Sequence, residues 1–118
     1  PTMVFNEEGN LILITGSPGG SLIPAAILRV ITGVIDFDLD IGQATMLPRV
    51  HKDWPTTGIL YETTLNSDVV RIINKTIGHK MTPEHTMGST QSIHIIDGIN
   101  YGFADLRRPN ASVSIQPN

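Results

Sequence analysis

The sequence of 118 residues predicts an α+β fold, and three stretches carry that expectation. Leu11-Ile12-Leu13-Ile14-Thr15 is a short apolar run of the kind a strand covered on both faces shows, and it leads through a glycine-rich turn into residues 22–37, long and apolar enough for a buried helix. Residues 90–96 and 99–103 flank Asp97-Gly98, a two-residue signal for a tight antiparallel hairpin. Between them, Asn66 precedes a helical pattern with Val69, Val70, Ile73 and Ile77 on one face and Gly78 at the position of a C-terminal cap.

The remaining elements follow in order. Met3-Val4-Phe5 is a short strand, and the polar turn Asn6-Glu7-Glu8-Gly9-Asn10 pairs it with residues 11–15. Pro24 falls in the first turn of the helix, where its missing N–H costs little. Ile23, Ala26, Ile27, Val30, Ile31, Val34 and Ile35 make that helix apolar around most of its circumference, so it is expected to leave little face to solvent. Asp36-Phe37-Asp38-Leu39-Asp40 resembles the start of a calcium loop, but Ile41 stands where glycine is needed and Leu47 where glutamate is needed. Asp40 is better read as an N-cap with Gln43 as its capping-box partner, starting a short helix through Met46 that Pro48 stops. Residues 59–62 read as a strand, and the segment from Pro109 is polar.

Composition narrows the chemistry. A hydrophobic content of 40% suits one globular domain or part of one. A net charge of −3, with no basic cluster beyond Arg107-Arg108, argues against nucleic acid as a partner. The absence of cysteine removes disulfide, redox and thiolate-metal chemistry. His51, His79, His85 and His94 lack paired ligand spacing, so no metal or other cofactor is expected. Pro24, Arg29 and Gly33 interrupt the apolar helix, which is too short to span a bilayer. Asp105 and Arg107 are close enough for an ion pair in a strand-end loop. The start at Pro1 is read as that of a piece cut from something longer.

The turn Gly16-Ser17-Pro18-Gly19-Gly20-Ser21 is the candidate site. Between strand and helix it presents backbone N–H groups at the positive end of a helix dipole, which suits negative charge. Neither phosphate fingerprint fits: there is no Gly-Lys-Ser/Thr, and the glycines are not spaced as GxGxxG. A bound anion, a transient oxyanion and a plain tight turn all remain open from these residues alone.

Taken together, the glycine turn, Pro48-Arg49-Val50-His51, Gly78-His79-Lys80, Met87-Gly88-Ser89-Thr90-Gln91-Ser92, and Tyr101-Gly102 followed by Asp105 resemble the C-terminal part of the small subunit of γ-glutamyltransferases (γ-glutamyl transpeptidases) in order and spacing. The resemblance runs from Pro1 to about Arg108. It implies an N-terminal-nucleophile hydrolase fold, a four-layer αββα sandwich. Residues 1–118 would then be a single partial domain, the C-terminal segment of the small catalytic subunit, with a loosely ordered tail from about residue 109. It also implies a precursor that cleaves itself, and a freed threonine that attacks the γ-glutamyl carbonyl of glutathione or a related amide. The γ-glutamyl-enzyme then passes its acyl group to water or an amine. Its oxyanion would be held by the backbone N–H groups of Gly19 and Gly20.

The same resemblance implies partners: the large subunit and the N-terminal part of the small subunit, in a periplasmic, secreted or cell-surface setting. The family's nucleophile and the residues that hold the substrate's amino and carboxylate groups lie upstream of Pro1, and Thr2 matches a structural position. The segment alone is therefore not expected to be active. Leu22, Ala104 and Leu106 stand where many members have arginine, serine and proline. These departures leave open a related acylase or capsule depolymerase, or a catalytically silent scaffold. A tautomerase using Pro1 as its base is disfavoured, because those proteins run their first strand into a long helix rather than a turn at Asn6.

Overall fold

The computed structural model describes residues 1–55 and 58–116. Its elements are mixed helix and sheet, as the sequence predicts. The first strand, β1 (Thr2–Phe5), turns back onto β2 (Leu11–Gly16) in antiparallel register, with Val4 opposite Leu13. Asn6 makes that turn locally: its side-chain oxygen accepts the N–H groups of Glu8 and Asn10, and its carbonyl accepts that of Gly9.

After the glycine turn, a single 3-10 turn (Gly20–Leu22) leads into α1 (Ile23–Ile35), with Pro24 in its first turn. Only one stripe of α1, comprising Ala26, Val30, Gly33 and Val34, is buried, while Leu28 and Ile35 are exposed. The expectation of a helix with little solvent face is corrected accordingly, because the layer packed on α1 covers one side of it. The capping box forms as read: Asp40 accepts the Gln43 N–H and the Gln43 side chain accepts the Asp40 N–H, opening α2 (Ile41–Met46). The two helices cross closely at Gly33, where a Cβ would lie 2.8 Å from that of Ala44. Leu13, Val30, Val34, Ile41 and Ala44 form the core there.

The chain then builds a second, smaller sheet. It contains β3 (Val50–His51), β4 (Gly58–Glu62) and, across α3 (Ser67–Ile72), β5 (Lys80–Glu84). Asn66 caps α3 by accepting the Asp68 N–H, a π turn (Ile73–Ile77) continues it, and Gly78 ends it at φ 85°. The apolar face read on this helix is only half used: Val70 and Ile73 are half-buried, Val69 and Ile77 exposed. Finally β6 (Gln91–Ile96) and β7 (Ile99–Ala104) form the hairpin, with Asp97 and Gly98 at φ 51° and 77°.

The four-stranded sheet runs β1-β2-β6-β7. Its two faces differ. Leu13, Thr15 and Ser92 are buried under the helices, and Phe103 packs against the same core. On the opposite face Met3, Ile14 and Ile93 stand in register beside Gly102, and Met3 and Ile93 are exposed. Val113 folds back onto Gly102, within 2.8 Å of where a Cβ would stand. No helix of the described residues is long and apolar enough to cross a membrane.

Candidate active site

The glycine turn occupies the mouth between β2 and α1. Gly19 caps the 3-10 turn at φ 141°, ψ 14°, and Gly20 follows at φ 58°; both are exposed. Both conformations favour glycine. The turn's internal hydrogen bonds run from Leu22 N–H to the Gly19 carbonyl and from Ser17 Oγ–H to the Pro18 carbonyl. Among the described residues, the N–H groups of Gly19 and Gly20 have no partner.

The loop 87–89 lies beneath the turn. Ser89 N–H donates to Ser17 Oγ at 2.9 Å. Gly88, at φ 72°, has no room for a side chain: a Cβ would come within 2.6 Å of Ser17 Oγ and 3.2 Å of the Ala26 Cβ. The backbone of Gly88 thus supports Gly19, whose own Cβ would stand 3.4 Å from the Gly88 Cα.

A buried charged quartet in turn fixes that loop. Glu62, at the end of β4, takes the N–H of Met87 at 2.9 Å and that of Arg49 at 3.0 Å. The Arg107 fork grips the same carboxylate through Nε at 2.7 Å and Nη2 at 2.6 Å. Asp105 takes Arg49 Nη2 at 2.7 Å, Thr90 N–H at 2.9 Å and Arg107 N–H at 3.0 Å. Arg49, 1% exposed, also donates from Nη1 to the Met87 carbonyl at 2.6 Å. Two cations and two anions therefore join the ends of both sheets at the loop under the glycine turn.

The quartet's protonation follows from its partners. Burial opposes ionisation of Glu62, but the Arg107 fork and the N–H groups of Met87 and Arg49 outweigh it and hold its pKa below the usual carboxylate range. Burial likewise opposes ionisation of Asp105. The N–H groups of Arg107 and Thr90 and the Arg49 guanidinium reverse the sign and lower that pKa too. Burial and the nearby Arg107 charge lower the Arg49 pKa. Burial acts the same way on Arg107, but Glu62 and Asp105 raise it overall. Both guanidiniums remain cations.

The structure places Gly19 and Gly20 at consecutive positive-φ positions in the exposed turn. Asp105 and Arg107 pair as read, at 3.2 Å in the turn that follows β7, and the pair lies inside a buried network. Ser17, Glu62 and Gly88 were missed as supports. Ser17 lay in the glycine turn and Gly88 in the run Met87-Gly88-Ser89, both already motifs, while nothing around Glu62 carried a signal. Among the described residues, no group of three His, Asp or Glu is arranged to hold a metal ion. A carboxylate, Asp53, approaches the turn through Ser21 Oγ at 3.4 Å. That charge disfavours a permanently bound phosphate at the turn.

Comparison with known proteins decides the relationship. Residues 1–115 match the γ-glutamyltranspeptidase family. This chain belongs to that family. It is 37% identical over 108 residues to the glutathione hydrolase proenzyme of Escherichia coli, covering 91% of this chain and 18% of that proenzyme. Against the glutathione hydrolase proenzyme of Bacillus subtilis it is 31% identical over 118 residues, covering 98% of this chain and 20% of the relative. The chain therefore spans about a fifth of the length of these glutathione hydrolase proenzymes. The Helicobacter pylori γ-glutamyltranspeptidase T380A structure superposes with a TM-score of 0.85 at 31% identity, over 92% of this chain and 60% of that one. The fold is that of the corresponding part of the N-terminal-nucleophile hydrolases.

Proposed function

We propose that this chain is the C-terminal segment of the small subunit of a γ-glutamyltransferase or glutathione hydrolase, and that Gly19 and Gly20 supply the oxyanion hole. The observation that carries this reading is the pair of uncommitted N–H groups in a turn held from below by Ser17, Gly88 and Ser89. Fixed donors aimed at a developing charge need no reorganisation during reaction, which makes them effective in acyl transfer. The nucleophile, a threonine freed by self-cleavage, comes from sequence preceding this segment. It attacks the γ-glutamyl carbonyl as its hydroxyl proton passes to a base, for which its own free amine can serve; the carbonyl oxygen becomes an oxyanion at Gly19 and Gly20, and collapse expels the amine, which takes up that proton, and leaves an ester on the threonine. Water or an acceptor amine then repeats the addition on the ester, with the same two N–H groups holding the second oxyanion, and its collapse breaks the ester bond, returns a proton to the threonine oxygen and releases glutamate or a new γ-glutamyl amide.

The partners in this reading are the large subunit and the N-terminal part of the small subunit, and the site of action is periplasmic, secreted or at the cell surface. The exposed Met3 and Ile93 face suits cover by the second sheet of an αββα sandwich. The test is to express the full-length protein that carries this segment, follow self-cleavage into two subunits, and assay it on a chromogenic γ-glutamyl anilide. Cleavage and dye release are expected. A protein that folds but neither cleaves nor releases dye would overturn the assignment in favour of a silent scaffold.

A further inference from the structure

Asp53 lies just beyond β3, with one carboxylate oxygen, Oδ2, 3.4 Å from the hydroxyl of Ser21, the residue after Gly20. The other oxygen, Oδ1, meets His51 Nε2 at 2.8 Å. The His51 side chain is 10% exposed and that of Asp53 is 47% exposed, so a nearly buried ring braces a carboxylate that still faces solvent. Trp54, the next residue, is 92% exposed. A negative charge beside a turn meant for an oxyanion works against that oxyanion. It attracts cations, however, and the two kinds of acceptor for the acyl group differ in just this respect. Water is neutral, whereas the amines of amino acids and peptides are mostly ammonium ions at neutral pH before they lose a proton and attack.

Resting on the reading of residues 16–21 as an oxyanion turn, we infer that Asp53, oriented by His51, is a specificity-determining residue. It draws ammonium-bearing acceptors to the acyl-enzyme and biases the reaction toward transfer rather than hydrolysis. The carboxylate acts at the encounter, by raising the local concentration of the acceptor beside the ester.

The test compares wild type with Asp53→Asn, which keeps the shape and can keep the contacts to Ser21 and His51, in the full-length self-processed protein. The readout is the ratio of transfer to hydrolysis, measured with a dipeptide acceptor and with hydroxylamine, an amine nucleophile largely uncharged at neutral pH. The dipeptide ratio is expected to fall about tenfold through a higher acceptor KM. The hydroxylamine ratio stays where it is, and Asp53→Glu keeps most of the preference for the dipeptide. An unchanged dipeptide ratio, or an equal fall with both nucleophiles, would overturn the inference while leaving the oxyanion turn intact. A wild-type protein without acyl transfer or hydrolysis would remove the underlying reading, and this one with it.

Discussion

The Ser17 hydroxyl accepts the Ser89 N–H at 2.9 Å and gives its own proton to the Pro18 carbonyl at 2.7 Å, so one side chain ties the glycine turn to the loop entering β6. Ser17→Ala removes both bonds without adding bulk. The loss should cost about 1 kcal/mol of stability. Activity should suffer more, because small displacements of catalytic donors are amplified in rate. In the full-length enzyme, kcat for anilide hydrolysis is expected to fall at least about tenfold with little change in KM. A normal kcat would show that the turn is held without Ser17.

Gly20 tests the oxyanion assignment. A Cβ there would meet nothing within 4 Å, yet the φ of 58° is one that other residues resist. Substitution by Leu should leave folding largely intact, at a cost of about 1–2 kcal/mol. It should also turn the N–H away as the backbone relaxes, lowering kcat by about 100- to 1000-fold. Circular dichroism and thermal melting separate the two effects, and near-normal turnover would sink the assignment.

Glu62 answers the Arg107 guanidinium, through two of its nitrogens, and two backbone N–H groups. Glu62→Gln leaves a buried positive excess and is expected to destabilise the protein by about 3–5 kcal/mol, seen as a lower denaturation midpoint. Adding Arg107→Met to that variant should recover part of the loss, since the leftover charge goes with it. If the double variant is as unstable as the sum of the two single ones, the pair is not coupled in this way.

Acid provides a further check. Glu62 and Asp105 both have folded-state pKa values below their unfolded ones, so the unfolded chain binds more protons as the pH drops. Their stabilisation is complete above the ordinary carboxylate range of about 4 and is lost as the pH falls through the lower folded values. Denaturation midpoints measured between neutral pH and pH ~3 should therefore fall only at the acid end of that range, and Glu62→Gln should flatten the fall. Midpoints that do not respond to acid would show that the quartet contributes little.

What the sequence made legible was local. The capping box of Asp40 and Gln43, the Asn66 cap, the Gly78 stop and the Asp97-Gly98 turn each depend on residues a few positions apart, and each formed as read. By contrast, β5 carries Lys80, Pro83 and Glu84, a poor strand by composition. It exists because it pairs in parallel with β4, a partner some twenty positions away whose presence no local pattern announces.

The site divides in the same way. Gly19 and Gly20 stood out as a glycine pair between a strand and a helix, which a plain turn would also explain, and the oxyanion role proposed for them came from the family that the order of the surrounding motifs resembles. Arg49, Glu62, Asp105 and Arg107 are scattered along the chain, and nothing in their own neighbourhoods tells that packing will bury them together. Asp105 and Arg107 do form the strand-end pair that their spacing suggests, but adjacency in sequence says nothing about how little water remains around the charges.

The row formed by Met3, Ile14 and Ile93 has a consequence for handling the protein. Produced by itself, the segment would offer water an apolar sheet face, and beside it the unpaired backbone edge of β1. Copies would stack those faces and extend the sheet from one molecule to the next, so the isolated piece would be recovered as aggregate. Proteolysis that released it from a larger enzyme would be hard to reverse, since self-association would remove the freed segment before it could re-dock.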